Sequence, residues 1–133
     1  MSRATRVRKR AEFERIQKGG ARVSTQSFIL IVAGRPDRRP ARLGITASRK
    51  IGGAVTRNRA KRLVREAFRA LPALFPPGID LVVIVRKPPG AMKAADVAAE
   101  WKGVSKKLAR RIEEALLACE KHESAQDNEP KGP

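Results

Sequence analysis

Arg49, Lys50, Arg57, Asn58, Arg59, Lys61, Arg62 and Arg65 crowd into residues 49–65, with no acid among them. These residue types at this spacing suit phosphate. An arginine offers a planar pair of donors to a phosphate oxygen pair, and a lysine adds a point charge. The backbone N–H groups of a helix start attract the same ligand. Asn58 carries both an acceptor and donors, so it suits a base edge or a neighbouring arginine. Such a surface recognises folded RNA by shape and backbone. Gly52-Gly53, just upstream, is not a phosphate-binding P-loop, which needs Gly-Lys-Ser/Thr at fixed spacing. Those glycines read as a turn.

The charge is lopsided. Nineteen of the thirty basic residues but only three of the thirteen acids (Glu12, Glu14 and Asp37) lie in the first 65 positions, so that half carries +16 of the formal +17. A fold does not require such a field, which repels itself and favours a polyanion. A protein nuclease would want clustered carboxylates for two metals, or histidines for acid–base work. The basic half offers only those three acids, at no metal-site spacing, and His122 is the one histidine. The chain is therefore not expected to cut RNA unaided, and no metal ligands or catalytic residues are assigned to it. Cys119, the single cysteine, reads as a small apolar residue and fits a reducing cytosol. No apolar run approaches the roughly 20 residues of a spanning helix, and no signal core follows the basic start. A cytoplasmic protein with no membrane partner is expected.

The elements that position the cations follow from periodicity. Residues 1–9 read as a basic arm with little to bury. Residues 10–18 read as a short helix with Phe13 and Ile16 on one face, stopped by Gly19-Gly20. A short strand near residues 22–24, a clear β run over 28–33 and an alternating strand over 42–48 follow. A helix is predicted over 56–71 with Thr56 as its N-cap. Its apolar stripe is Ala60, Leu63, Val64, Ala67, Phe68 and Leu71, so one side is pinned and another is electropositive. Residues 79–85 read as a central strand, and 94–120 as one long helix carrying Val97, Trp101, Val104, Leu108, Ile112, Leu116 and Cys119. Phe68 and Trp101 read as core. The bases between Lys102 and Arg111 read as a solvated face balanced by Glu113 and Glu114. One domain over residues 1–120 is expected, with 121–133 a disordered tail. The class is α+β, helices layered on a small sheet, in the order αβββαβα. Composition alone leaves open a structural RNA-binding protein and an independent nuclease.

The run from Arg42 to Phe68 resembles the signature of the bacterial ribonuclease P protein subunit. A glycine-bearing strand ends in Ser48-Arg49-Lys50. The loop Ile51-Gly52-Gly53-Ala54-Val55 follows, then Arg57-Asn58-Arg59-Ala60-Lys61-Arg62, in order and without a gap. The resemblance extends over roughly residues 6–111, including Glu12-Phe13, the β run near Phe28 and the strand before Arg86-Lys87-Pro88. It implies a small α/β sandwich, like a ribosomal protein domain, with a left-handed βαβ crossover around the Arg-Asn-Arg helix. General topology rules favour the right-handed form.

The resemblance also implies a function: the protein subunit of an RNA-based endoribonuclease that removes the 5′ leader of precursor tRNA. Cleavage, and most of the bound magnesium, would belong to the RNA subunit. The implied partners are the catalytic RNA and precursor tRNA, with no further protein required. Arg49, Lys50, Arg57, Asn58, Arg59, Lys61, Arg62 and Arg65 would face the catalytic RNA. A cleft between the first helix and the sheet would take the leader, with Phe13 as its aromatic. Two positions depart from the pattern. Gln17 stands where some members carry a second aromatic, and Ile31 where some carry a tyrosine. With fewer stacking rings, leader binding is expected to lean on charge and to be more salt-sensitive. Phe28 is the candidate to compensate, although alternation leaves its face open.

Overall fold

The computed structural model describes residues 6–7 and 10–128. Helix α1 (Arg10–Gly19) leads into strands β1 (Ala21–Ser24), β2 (Phe28–Gly34) and β3 (Arg42–Thr46). Helix α2 (Ala54–Ala70), strand β4 (Ile79–Val85) and helices α3 (Ala94–Lys102) and α4 (Ser105–Asn128) complete the chain. The sheet order is β1-β2-β4-β3. β2 is antiparallel to β1 and β4, whereas β3 and β4 are parallel and joined through α2, a βαβ unit.

Both faces of the central strands are covered, so β2 and β4 are apolar on both sides apart from Asp80 at the start of β4. Phe28, Leu30 and Val32, with Leu81, Val83 and Val85, face α2, α3 and α4. Ile31 and Val82 face the other way, under Ile16 of α1. Val7 joins this smaller cluster, its N–H donating to the Leu43 carbonyl at 3.0 Å. The arm is thus anchored on β3 at a residue expected to bury little. The rest of the arm, residues 1–5, 8 and 9, lies outside the described residues.

Three expectations need correction. Helix α2 begins at Ala54 with Gly53 as its N-cap, and Thr56 sits inside the first turn. A short 3-10 turn (Arg49–Ile51) precedes it, and Gly52, at φ +145°, swings the chain out of that turn early. The single long C-terminal helix is two, so the order is αβββαβαα. It breaks at Gly103-Val104, where glycine has the lowest helix propensity short of proline. The break lets α3 pack on α2 while α4 crosses β1 and β2. Trp101, in the last turn of α3, is fully buried between the edges of Phe28 and Phe75, with ring centroids 6.0 and 5.7 Å away. Finally, residues 121–128, expected to be an unstructured tail, continue α4. No helix breaker intervenes before Pro130, and residues 129–133 lie outside the described residues.

One buried carboxylate ties the α1 layer to the sheet. Asp80 on β4 has no solvent exposure. Its oxygens accept from Arg42 Nε and Nη2 at 2.8 Å each, Arg35 Nη1 at 2.8 Å and Arg15 Nη2 at 3.2 Å. Arg42 is its cross-strand neighbour on β3, Arg15 comes from α1, and Arg35 leads the β2–β3 loop. Arg35 also reaches the Ile79, Arg39 and Pro40 carbonyls and Asp37, which closes that loop over the start of β4. Burial by itself would push the Asp80 carboxyl up, but hydrogen bonds and charge from Arg42 and Arg35 hold it below its ordinary value. Its stabilisation is therefore complete above the unfolded-chain pKa of about 3.9. It is lost as pH falls through the lower folded value.

Replacing Asp80 by Asn removes the shared buried acid of three arginines, leaving Arg35 only Asp37, Arg42 only Glu12 and Arg15 no acid among the described residues, and is expected to cost about 3–5 kcal/mol at neutral pH. In urea unfolding the gap between D80N and the parent protein should shrink below about pH 4, where the carboxyl of the unfolded parent takes up a proton while the folded one still resists it. A gap that stays constant down to pH 3 would show that Asp80 does not bear this charge.

Candidate nucleic-acid interface

Helix α2 is held by Ala60, Leu63, Val64 and Ala67, all buried in the core that it shares with α3 and the sheet. That stripe fixes which cations face outward. Arg49 and Lys50 on the preceding turn, and Asn58 and Arg62 on the helix, are exposed. Arg57, Lys61 and Arg65, four residues apart, run half-buried along one flank. Arg59 leaves on the opposite flank, where Nη1 donates to the Gly90 carbonyl at 2.8 Å and Nη2 to the Met92 carbonyl at 2.6 Å. It is charged, but part of its donor fork is committed within the protein.

None of these cations forms an ion pair with an acid among the described residues. Among the described residues the ion pairs join Arg10 to Glu14, Arg35 to Asp37, Arg42 to Glu12 and Arg111 to Glu114, and three arginines to Asp80. None engages a cation between residues 49 and 65. The field around α2 is left for an outside anion, and the Arg111 pair agrees with the balanced face expected on α4.

The Lys61–Arg65 flank opens into a cleft around the β3 edge. Its inner part, about 120 Å³, is lined by Phe13, Gly44, Ile45, Lys61, Arg65 and Arg6 of the arm. Phe13, Ile45 and Lys61 continue into an outer part of about 550 Å³ that adds Arg10, its ion-pair partner Glu14, Gln17, Thr46 and Ala47. An aromatic ring thus lies beside Arg6, Lys61 and Arg65, a combination suited to a single strand: stacking for a base, charge for its phosphates. Gln17, at the second-aromatic position, contributes an amide there. Among the described residues, no three His, Cys, Asp or Glu side chains gather to hold a metal. No helix among those residues is long and apolar enough to cross a membrane.

Two cleft assignments are corrected. Phe28 lies on the other face of the sheet, 3% exposed and edge-on to Trp101, so it cannot supply a second ring. Ile31 is on the α1 face but fully buried beneath Ile16, so it supports the cleft wall without lining it. Sequence reading did not single out Arg6, Arg10, Ile45, Thr46 and Ala47. Their signal was the side of the β3 edge they occupy, which needs α1 in place.

Gly44 explains why this strand carries a glycine. A Cβ there would lie 2.7–2.8 Å from two ring atoms of Phe13 and 3.0 Å from Val7 Cβ. The bare backbone is the seat of the ring. Gly44→Ala should therefore evict Phe13 while the protein still folds, because the ring can rotate away; the expected loss is about 1–2 kcal/mol. The measurement is an NMR spectrum. In the parent the Gly44 Hα facing the ring should be shifted upfield, and the residue-44 Hα of G44A should return towards its unshifted position. An unshifted Gly44 Hα in the parent would contradict the packing.

Comparison with known proteins agrees with this geometry. The family model described as Ribonuclease P matches residues 1–109. A ribonuclease P protein component of Geobacillus kaustophilus is 37% identical over 97 residues, 73% of this chain and 80% of that protein. One from Gluconacetobacter diazotrophicus is 45% identical over 85 residues, 63% of this chain and 73% of the relative. The solved RNase P protein of Staphylococcus aureus superposes with a TM-score of 0.69 at 33% identity, covering 83% of this chain and 99% of that one. That of Thermotoga maritima gives 0.67 at 33% identity, covering 77% and 96%. With the signature, the sandwich and the relatives in agreement, the chain belongs to the ribonuclease P protein family, the protein subunits of a tRNA-processing endoribonuclease.

Proposed function

We propose that α2 and the turn before it dock on the catalytic RNA of ribonuclease P, and that the Phe13 cleft takes the single-stranded 5′ leader of precursor tRNA. The observation that carries this reading is the division of the arginines. Those that meet acids lie elsewhere in the fold, whereas Arg49, Lys50, Arg57, Lys61, Arg62 and Arg65, with Asn58 among them, form no ion pair with an acid among the described residues. Counterion release from an RNA backbone then supplies salt-dependent affinity. Lys61 and Arg65 belong both to α2 and to the cleft, so a leader lying there would be continuous with the docked RNA surface.

Discrimination follows from differential binding. Mature tRNA has lost the segment the cleft holds, so the cleft favours substrate over product. With Phe13 as the one aromatic of the cleft, charge carries a large share of leader affinity. The magnesium chemistry is assigned to the RNA subunit. The described residues fit that division, since Asp80, the one fully buried acid among them, is saturated by arginines.

Reconstitution with the catalytic RNA tests the reading. The protein alone should leave precursor tRNA intact, and adding the RNA should yield mature 5′ ends. Phe13→Ala should weaken precursor binding by about 1–3 kcal/mol and leave mature tRNA binding unchanged. Precursor affinity should also fall more steeply with salt than mature tRNA affinity. Equal losses for both tRNAs would remove the leader from this cleft.

A further inference from the structure

The Arg59 guanidinium faces away from the open side of α2, towards the loop between β4 and α3. This loop, Arg86-Lys87-Pro88-Pro89-Gly90-Ala91-Met92-Lys93, holds three cations and no acid. Two consecutive prolines restrict its backbone. Arg86 is anchored inward, donating to the Thr25 carbonyl at 2.6 Å, and the Lys93 N–H is bound by Asp96 at 2.7 Å. Lys87 and Lys93 themselves are exposed, and among the described residues no ion pair engages their side-chain amines. Between them, the Gly90 and Met92 carbonyls accept the two ends of the Arg59 fork. A lysine could not make both bonds in that geometry, since its ammonium is a single point of attachment. Because the acceptors are neutral carbonyls, the charge of Arg59 persists while the loop is drawn against α2.

We propose that Arg59 acts as a strut rather than as a primary phosphate ligand, clamping the 86–93 loop beside α2 so that Lys87 and Lys93 extend the RNA-facing surface. This rests on the docking reading given above and adds a second segment to it. The partner is the same structured RNA, met through its phosphates, since the loop offers exposed cations and no exposed aromatic to stack on a base. Arg59 is then a positioning residue for Lys87 and Lys93.

The test is a double-mutant cycle, read as affinity of the full-length protein for a ribonuclease P RNA transcript over a range of salt. Lys87→Ala with Lys93→Ala should weaken binding about tenfold and lower the salt slope by about two, near one for each phosphate contact. Arg59→Lys keeps the charge but breaks the clamp, and should weaken binding severalfold by itself. In the background lacking both lysines, Arg59→Lys should cost almost nothing further, because there is no longer a cationic loop to position. Additive effects, full affinity in Arg59→Lys, or an unchanged salt slope without the lysines would each overturn the strut. Arg62→Ala separates the two readings. If it weakens binding while the loop variants do not, docking through α2 stands and the strut falls. If it too leaves binding unchanged, the docking reading falls, and the strut with it.

Discussion

The Asp80 carboxylate is the point on which the two layers of this protein meet. It lies on a central strand, in an interior that would reject an unpaired charge. Arg42 reaches it from the edge strand, Arg35 from the β2–β3 loop and Arg15 from α1. Arg42 continues to Glu12, so α1 is tied through two of its residues, on either side of Phe13. Apolar packing of Ile16 on Ile31 and Val82 gives α1 its attraction to the sheet. Ion pairs are directional and fix where along the sheet it settles. The cleft exists because α1 settles there, with the Phe13 ring over the bare backbone of Gly44.

A chain with so much positive charge must also decide which of it remains available. Arginine serves three purposes here. Arg35 and Arg42 are interior ties whose charge is cancelled by acids. Arg59 bonds to carbonyls, which hold its geometry and leave its charge intact. Arg49 and Arg62 are exposed, with no ion pair to an acid among the described residues. Self-repulsion among the free cations is tolerated because α2 is pinned by four buried side chains and the sheet is covered on both faces. Stability and binding are thereby separated in space: the acids that tie the interior arginines, Asp80 and Glu12, lie on β4 and α1, and the cations left for binding lie around α2.

Much of this was legible in the amino-acid order. Strand and helix positions followed from periods of two and of 3.6 residues, and the stripe Ala60, Leu63, Val64 and Ala67 fixed the outward side of α2. The excess charge of residues 49–65 was plain from composition, because no acid lies within the run and Glu66 alone adjoins it. The contiguous signature from Arg42 to Phe68 carried the family. Local rules suffice where the forces are local: side-chain spacing along one element, glycine at a turn, charge without a neighbour.

Only the tertiary structure decided which faces and partners those residues take. Phe28 and Ile31 alternate on a strand buried on both sides, so period two fixes that they oppose one another but not which of them lies under α1. Gly103 breaks a helix whose apolar stepping runs straight through it, because α3 must follow α2 while α4 must follow the sheet. Asp80 sits 38 positions from Arg42 and 65 from Arg15, and nothing local marks it as the acid that both will meet. The sequence by itself determined the elements, their oily stripes and the sign of the field. The packing of layers determined which cations are tied, which are free and where the ring of Phe13 rests, since those depend on contacts between segments far apart in the chain.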